Sequence, residues 1–255
     1  MKVVVFGGSG LIGQKTVEIL HTQGHEAVAV SRQMGVDAFT GQGLEAVLNN
    51  ADIIIDAMDA PSFEDTIARD FFETTTRNMI AAAQGQHIQH YIALSVVGTD
   101  KLQTSGYFQG KLKQEQLIKA SGIPYTIARA TQFYEFIRLI AQMATKGNIV
   151  RLPSATLQPI AAIDAASAIA SIANHQPYQS IVDIAGPEKI GLSEFARKAL
   201  ANEQDARTVV TDEEALYVQT FKLDDSTLTP SSSHQQILGS LRFDQWLADP
   251  DRTYK

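Results

Sequence analysis

The chain contains no cysteine, which excludes disulfides and thiolate metal sites and fits a reducing compartment. It also lacks a basic excess: 21 Lys and Arg stand against 28 Asp and Glu, for a net charge of -7. Neutralising a phosphate backbone takes clustered Lys and Arg, so no nucleic-acid contact is expected. No apolar run approaches a membrane span; the stretch Ile160 to Ala173 is too short and is interrupted by Asp164. The apolar run after Met1-Lys2 ends at glycines within about five residues, too short for the apolar centre of a signal peptide. A soluble cytoplasmic protein is the expectation. The histidines His21, His25, His87, His90, His175 and His234 lack the i, i+4 pairing of a helical metal site, so no metal is expected. Glu213-Glu214 and Asp224-Asp225 are sequence neighbours that face different ways on a helix and read as solvated charge. No repeat or coiled-coil pattern occurs.

What is present is a chain of 255 residues, 44% hydrophobic, able to bury a full core. Its most informative feature comes first. The β-branched run Lys2-Val3-Val4-Val5-Phe6 gives way to Gly7-Gly8-Ser9-Gly10-Leu11-Ile12-Gly13. A strand that enters such a turn and leaves it as a helix is a phosphate-binding arrangement. Its glycines permit a sharp reversal, close approach of backbone to a pyrophosphate, and close packing of the helix on the sheet. The helix N-terminus adds unpaired N–H groups and a partial positive charge. Gly7, Ser9, Gly10, Leu11, Ile12 and Gly13 are the expected dinucleotide contacts.

Further strands are predicted at Glu26 to Val30, Ala51 to Asp56, His90 to Leu94 and Tyr125 to Ala128. Helices at Leu44 to Leu48, Thr66 to Ala83 and Gln109 to Ala120 alternate with them. This order implies an α/β fold, a Rossmann-type doubly wound parallel sheet. Residues 1–155 are assigned to the dinucleotide-binding core and 156–255 to a smaller C-terminal substrate lobe, with a strand near 180–185 returning to the sheet. A helical run from Phe133 to Ala144, a strand at Ile149 to Leu152, an alanine-rich helix after Pro159 and a helix at Leu192 to Leu200 follow. The polar stretch from about 202 to 240, including Thr229-Pro230-Ser231-Ser232-Ser233, reads as a mobile loop or lid.

Ligands of open α/β sheets sit at the carboxyl ends of the strands. There the second strand offers Ser31-Arg32 rather than an acidic residue, which favours the 2′-phosphate of NADP over NAD, with NAD as the alternative. Asp56 and Asp59 follow the third strand, and two roles are open to them: contact on the adenosine side, or capping of the next helix. The fourth strand ends at Ser95, and Tyr107 and Lys111 at i, i+4 share a helix face. A neighbouring ammonium favours the phenolate, so Tyr107 can serve as acid, with Ser95 hydrogen-bonding the reacting oxygen and Lys111 contacting the ribose of the cofactor. Gln132 is expected near the nicotinamide, with Phe133 and Tyr134 walling the substrate pocket. Phe133, Phe136, Ile137 and Ile140 also fall at helical spacing, so some of these side chains belong to the core.

These features resemble the short-chain dehydrogenase/reductase superfamily, and more closely its atypical NmrA-like branch of NAD(P)H-binding proteins. The resemblance rests on Gly7 to Gly13, Ser31-Arg32, Leu94-Ser95-Val96-Val97-Gly98, Tyr107 with Lys111, and Ser121-Gly122-Ile123-Pro124-Tyr125-Thr126-Ile127-Ala128-Arg129, and it extends to about Leu200. It implies a Rossmann core, a nicotinamide cofactor and a C-terminal lobe that shapes a substrate cleft. Members include quinone and phenylpropanoid reductases, and others that bind the dinucleotide without turnover as redox-responsive regulators. The expected function is NADPH-dependent reduction of a small carbonyl or quinone. The alternatives are a non-catalytic NAD(P) sensor with a protein partner and, third, a nucleotide-sugar epimerase or dehydratase.

Overall fold

The computed structural model describes residues 1–254. The chain runs β1 (Lys2–Phe6), α1 (Leu11–Thr22), β2 (Glu26–Val30), α2 (Leu44–Leu48), β3 (Ile53–Asp56), α3 (Asp65–Ala83), β4 (His90–Val96), α4 (Gly106–Ala120) and β5 (Tyr125–Ala130). It continues through α5 (Ile137–Met143), β6 (Thr145–Lys146), β7 (Ile149–Leu152), β8 (Thr156–Leu157), α6 (Ala162–Ala173) and β9 (Ile181–Ala185). Then come β10 (Ile190–Gly191), α7 (Leu192–Asn202), β11 (Thr208–Thr211), β12 (Gln235–Leu238) and α8 (Phe243–Ala248).

The main sheet has seven strands in the order β12-β9-β5-β4-β3-β1-β2. It is the parallel Rossmann-type sheet the alternating pattern predicts, with Val5 level with Ala29 of β2 and Ile55 of β3. Every residue of β3 is buried, as are four of the five in β1, because a central parallel strand is covered on both faces and so needs no alternation. Val4, Ile54 and Tyr91 sit side by side across three strands and share one core with Leu44, Leu48, Met79 and Ile118 from the helices.

Two compact units divide the chain, with the borders falling inside β5, α6 and β9. The first comprises Met1–Arg129 and Ala166–Val182; the second comprises Ala130–Ala165 and the chain from Asp183 onward. The chain therefore crosses between the two units three times. In the first unit α3 and α4 pack closely because Gly106 and Gly110 face α3. A Cβ on Gly106 would collide with the Asp65 carbonyl oxygen, and one on Gly110 would stand 2.9 Å from the Phe72 ring.

Two local expectations are corrected. The helix after β4 starts at Gly106, three residues before the predicted start, because the Ser105 side chain accepts from the Tyr107 N–H at its N-terminus. The polar stretch 202–240 is not a loose lid. It contains β11, paired with β7, and the edge strand β12, and Thr227, Leu228 and Thr229 are buried. Polar composition concealed strands whose partners are distant in sequence.

Candidate functional site

The glycine turn has the geometry of an anion cradle. Gly7 has φ +73°, a conformation costly for any residue with a Cβ, and its carbonyl accepts the Gly10 N–H at 2.9 Å. A Cβ on Gly13 would fall on the Gly7 carbonyl oxygen, and one on Gly8 would lie 2.7 Å from Ala29 Cα. Gly8 packs the turn on the sheet, and Gly13 lets α1 start close under the turn. Ser9 and Gly10 are exposed, Leu11 is half-buried and Ile12 is buried. No side chain caps α1 and no acid occupies its first turn, which leaves its N-terminal donors and dipole available to a phosphate.

Ser31 leaves β2 extended, and Arg32 opens a short 3-10 turn, exposed and without an ion-pair partner among the described residues. An unpaired guanidinium at this strand end suits a 2′-phosphate.

Asp56 does neither of the things expected of it. It is fully buried at the end of β3, where its Oδ2 accepts from Gln114 Nε2 at 2.8 Å and from the Tyr91 hydroxyl at 3.3 Å, and its Oδ1 from the Met58 N–H at 3.2 Å. Burial pushes its carboxyl above the usual range, against the pull of Lys111 and these donors. The N-terminus of α3 is capped instead by Glu64, which accepts from the Thr66 N–H.

Lys111 is 3% exposed. Its Nζ donates to the Leu94 carbonyl at 2.7 Å and to Gln114 Oε1 at 2.8 Å, and lies 4.4 Å from the centre of the Phe72 ring. Burial lowers its pKa, with the charges of Asp56, Asp59 and Glu115 opposing that shift. Gln114 therefore joins the buried amine to the buried acid, accepting from one and donating to the other.

Tyr107, in the first turn of α4, is half-buried, and its hydroxyl donates to Asp59 Oδ1 at 2.9 Å. Its ring meets Phe72 edge-on at 5.3 Å and Phe63 at 5.4 Å. Ser95 is corrected outright. It is 1% exposed and its hydroxyl donates to Glu115 Oε1 at 2.7 Å, so it is not presented to a substrate oxygen. Glu115 is in turn held by Arg129, whose Nε and Nη2 donate to its two oxygens at 2.9 and 2.8 Å, while Nη1 reaches Asp100 at 2.8 Å. The sequence reading missed Gln114 and Glu115 as site residues. The signal was available: Gln114 and Glu115 stand three and four residues after Lys111 and form with it a polar stripe of α4, where an apolar one is the norm for a core-facing helix.

In the second unit, Gln132 and Phe133 are half-buried, and the Gln132 carbonyl accepts from the Ile160 N–H at 2.9 Å. Tyr134 does not wall a pocket. It is fully buried among Phe195, Phe243 and Trp246, and its hydroxyl donates to the Leu241 carbonyl at 3.0 Å. Among the described residues no group of acids and histidines could hold a metal ion, and no helix is long and apolar enough to cross a membrane.

Comparison with known proteins agrees with this arrangement. Residues 34–176 match the model of a family described as NAD(P)H-binding, more than half of the chain, including Asp56, Tyr107, Lys111 and Arg129. A photosystem II assembly factor of Synechocystis sp., Ycf39, is 25% identical over 158 residues, 56% of this chain. Those residues make up 48% of that relative, so the chain spans about half its length. Among solved structures, a mutant UDP-glucuronic acid 4-epimerase of Bacillus cereus, in complex with UDP-4-deoxy-4-fluoro-glucuronic acid and NAD, superposes with a TM-score of 0.71 at 15% identity. That match covers 97% of this chain and 96% of the other. The dTDP-4-dehydrorhamnose reductase of Bacillus anthracis, bound to NADP, gives 0.68 at 16% identity over 83% of this chain and 84% of the other. At such identities these structures establish the fold alone. The matched family, the uncapped glycine turn and the parallel sheet agree: the chain belongs to the family described as NAD(P)H-binding.

Proposed function

We infer that the protein is an NADPH-dependent reductase of a small carbonyl or quinone. The observation that carries this reading is the Tyr107 hydroxyl, half-exposed beside the loop that leaves the carboxyl end of β3, where open α/β sheets bind their ligands. The glycine turn, the N-terminus of α1 and Arg32 would hold the cofactor, which when bound supplies a hydride. Gln132 and Phe133 are proposed to border the nicotinamide and the substrate. Tyr107 would hold the proton that a carbonyl oxygen takes up as it becomes a hydroxyl. A quinone can instead take its proton from water.

Arg32 selects the cofactor in this reading. Arg32→Ala is expected to weaken NADPH binding about 10-fold or more, the worth of charge-assisted hydrogen bonds to a phosphate, and to leave NADH binding unchanged. Calorimetric titration with both cofactors checks this, and equal loss for the two would remove Arg32 from the phosphate site.

Turnover is tested by following NADPH absorbance with panels of aldehydes and quinones. Tyr107→Phe should lower aldehyde turnover about 100-fold or more, the usual worth of a general acid, and change quinone turnover little. A second reading, a dinucleotide sensor without turnover, is favoured by one specific observation: of Ser95, Tyr107 and Lys111, only Tyr107 presents its reactive atom outside the buried network. The relative named for photosystem II assembly fits that reading too. Tight NADPH binding with no turnover on either panel would decide for it.

A further inference from the structure

We propose that Asp59 and Phe63 form a receptor for an organic ammonium group carried by the substrate, beside the Tyr107 hydroxyl. The proposal rests on the reductase reading, because it takes Tyr107 as the group at the reacting oxygen. All of its residues lie in the first unit, on and beside the loop between β3 and α3.

The acids of this loop are not equivalent. Glu64 caps α3, and Asp65 accepts the Gly106 N–H at 2.6 Å. Asp59 is exposed and accepts two hydrogen bonds, from the Ala60 N–H and the Tyr107 hydroxyl, both at 2.9 Å and both on Oδ1. Its Oδ2 has no hydrogen-bond donor, and no cation pairs with the carboxylate, among the described residues. Lys111 feels the charge of Asp59, but its ammonium is bonded to Leu94 and Gln114 and is buried. A negative charge thus stands at the reactive hydroxyl with half of its acceptor capacity unused.

An aromatic surface adjoins it. Phe63 is 67% exposed, unusual for a phenylalanine, and its ring is tilted against that of Tyr107. Ile67, one turn into α3, is 46% exposed and extends the apolar side. A carboxylate and an exposed ring that both contact Tyr107 are complementary to one chemical class, a positive charge on an apolar body: the ring attracts the cation by its quadrupole and the carboxylate by its charge. An anionic substrate would be repelled at the same place. A neutral carbonyl compound would find its oxygen partner in Tyr107 and leave Asp59 Oδ2 unused.

The test compares three benzaldehydes of similar size as substrates with NADPH, bearing a para-trimethylammonio, a para-methyl or a para-carboxylate group. The expected order of kcat/KM is cationic, neutral, anionic, with about 10-fold or more between the ends, in keeping with one charge-assisted contact. Asp59→Asn should reduce that ratio towards one, chiefly through KM for the cation, and Phe63→Ala should reduce it in part. Because the ratio is internal, a change in Tyr107 common to all three substrates cancels. Equal kcat/KM across the series, or a ratio that Asp59→Asn leaves unmoved, would overturn the receptor while the reductase reading stands. If none of the three aldehydes is reduced, the reductase reading is left to the quinone panel, and calorimetry of the NADP-loaded protein with benzyltrimethylammonium decides the receptor. Saturable binding abolished by Asp59→Asn supports the receptor, and absence of binding removes it.

Discussion

Arg129→Met is expected to destabilise the fold by about 3–5 kcal/mol, the range seen when one partner of a buried ion pair is removed. The Arg129 side chain is 6% exposed, that of Glu115 is fully buried, and the two meet through paired bonds at 2.9 and 2.8 Å. Without the guanidinium, Glu115 keeps the Ser95 hydroxyl and the Lys119 ammonium, 3.9 Å away and partly solvated. The penalty comes from the charge left behind rather than from the attraction lost. The double replacement Arg129→Met with Glu115→Leu should therefore lie much closer to the parent than Arg129→Met alone. Urea unfolding followed by circular dichroism checks both, and a cost below about 1 kcal/mol for Arg129→Met would show that the pair is not buried as described. Since the pair ties α4 to β5 and, through Ser95, to β4, its loss should also loosen the helix that carries Tyr107.

Stability is expected to fall as the pH drops from about 6.5 to 4, and His90 should account for about 3 kcal/mol of that fall. This side chain is 2% exposed at the start of β4; its Nε2 lies 2.8 Å from the Thr126 hydroxyl oxygen, and its Nδ1 has no partner among the described residues. Burial lowers its pKa to about 4, because a charged imidazolium there would lose its hydration with nothing to replace it. The folded-state value lies below that of the unfolded chain, so between the two the unfolded chain binds more protons and stability rises with pH. The contribution is fully present above about pH 6.5 and is lost as the pH falls towards 4. His90→Gln, which keeps a polar group within reach of Thr126, should flatten the pH dependence in this window. An unchanged slope between pH 6.5 and 4 would mean that His90 is protonated in the folded protein.

Some of this was legible because the signal was local. The second strand, Glu26 to Val30, and the short helix, Leu44 to Leu48, are found where the apolar pattern predicts them. The glycine turn was readable because a positive φ at Gly7 and the missing side chain at Gly13 are demands of the turn itself. Arg32 was readable as the residue just past a strand end. Ser95 was misread because its partner Glu115 is twenty residues on, and whether the two meet depends on how α4 is turned about its axis. Tyr134 was misread because the rings that bury it, Phe195, Phe243 and Trp246, come from far along the chain.

The amino-acid sequence by itself therefore determined the parallel sheet and the dinucleotide turn, since both follow from residue-level periodicity and backbone freedom within short windows. Only the tertiary structure decided which polar side chains face a ligand. It turned Ser95 inward onto Glu115, and Lys111 and Asp56 inward onto the Gln114 amide they share, and left Tyr107 bonded to an exposed Asp59. The reason is that burial and pairing depend on distances between elements, which neighbouring residues in a chain do not specify.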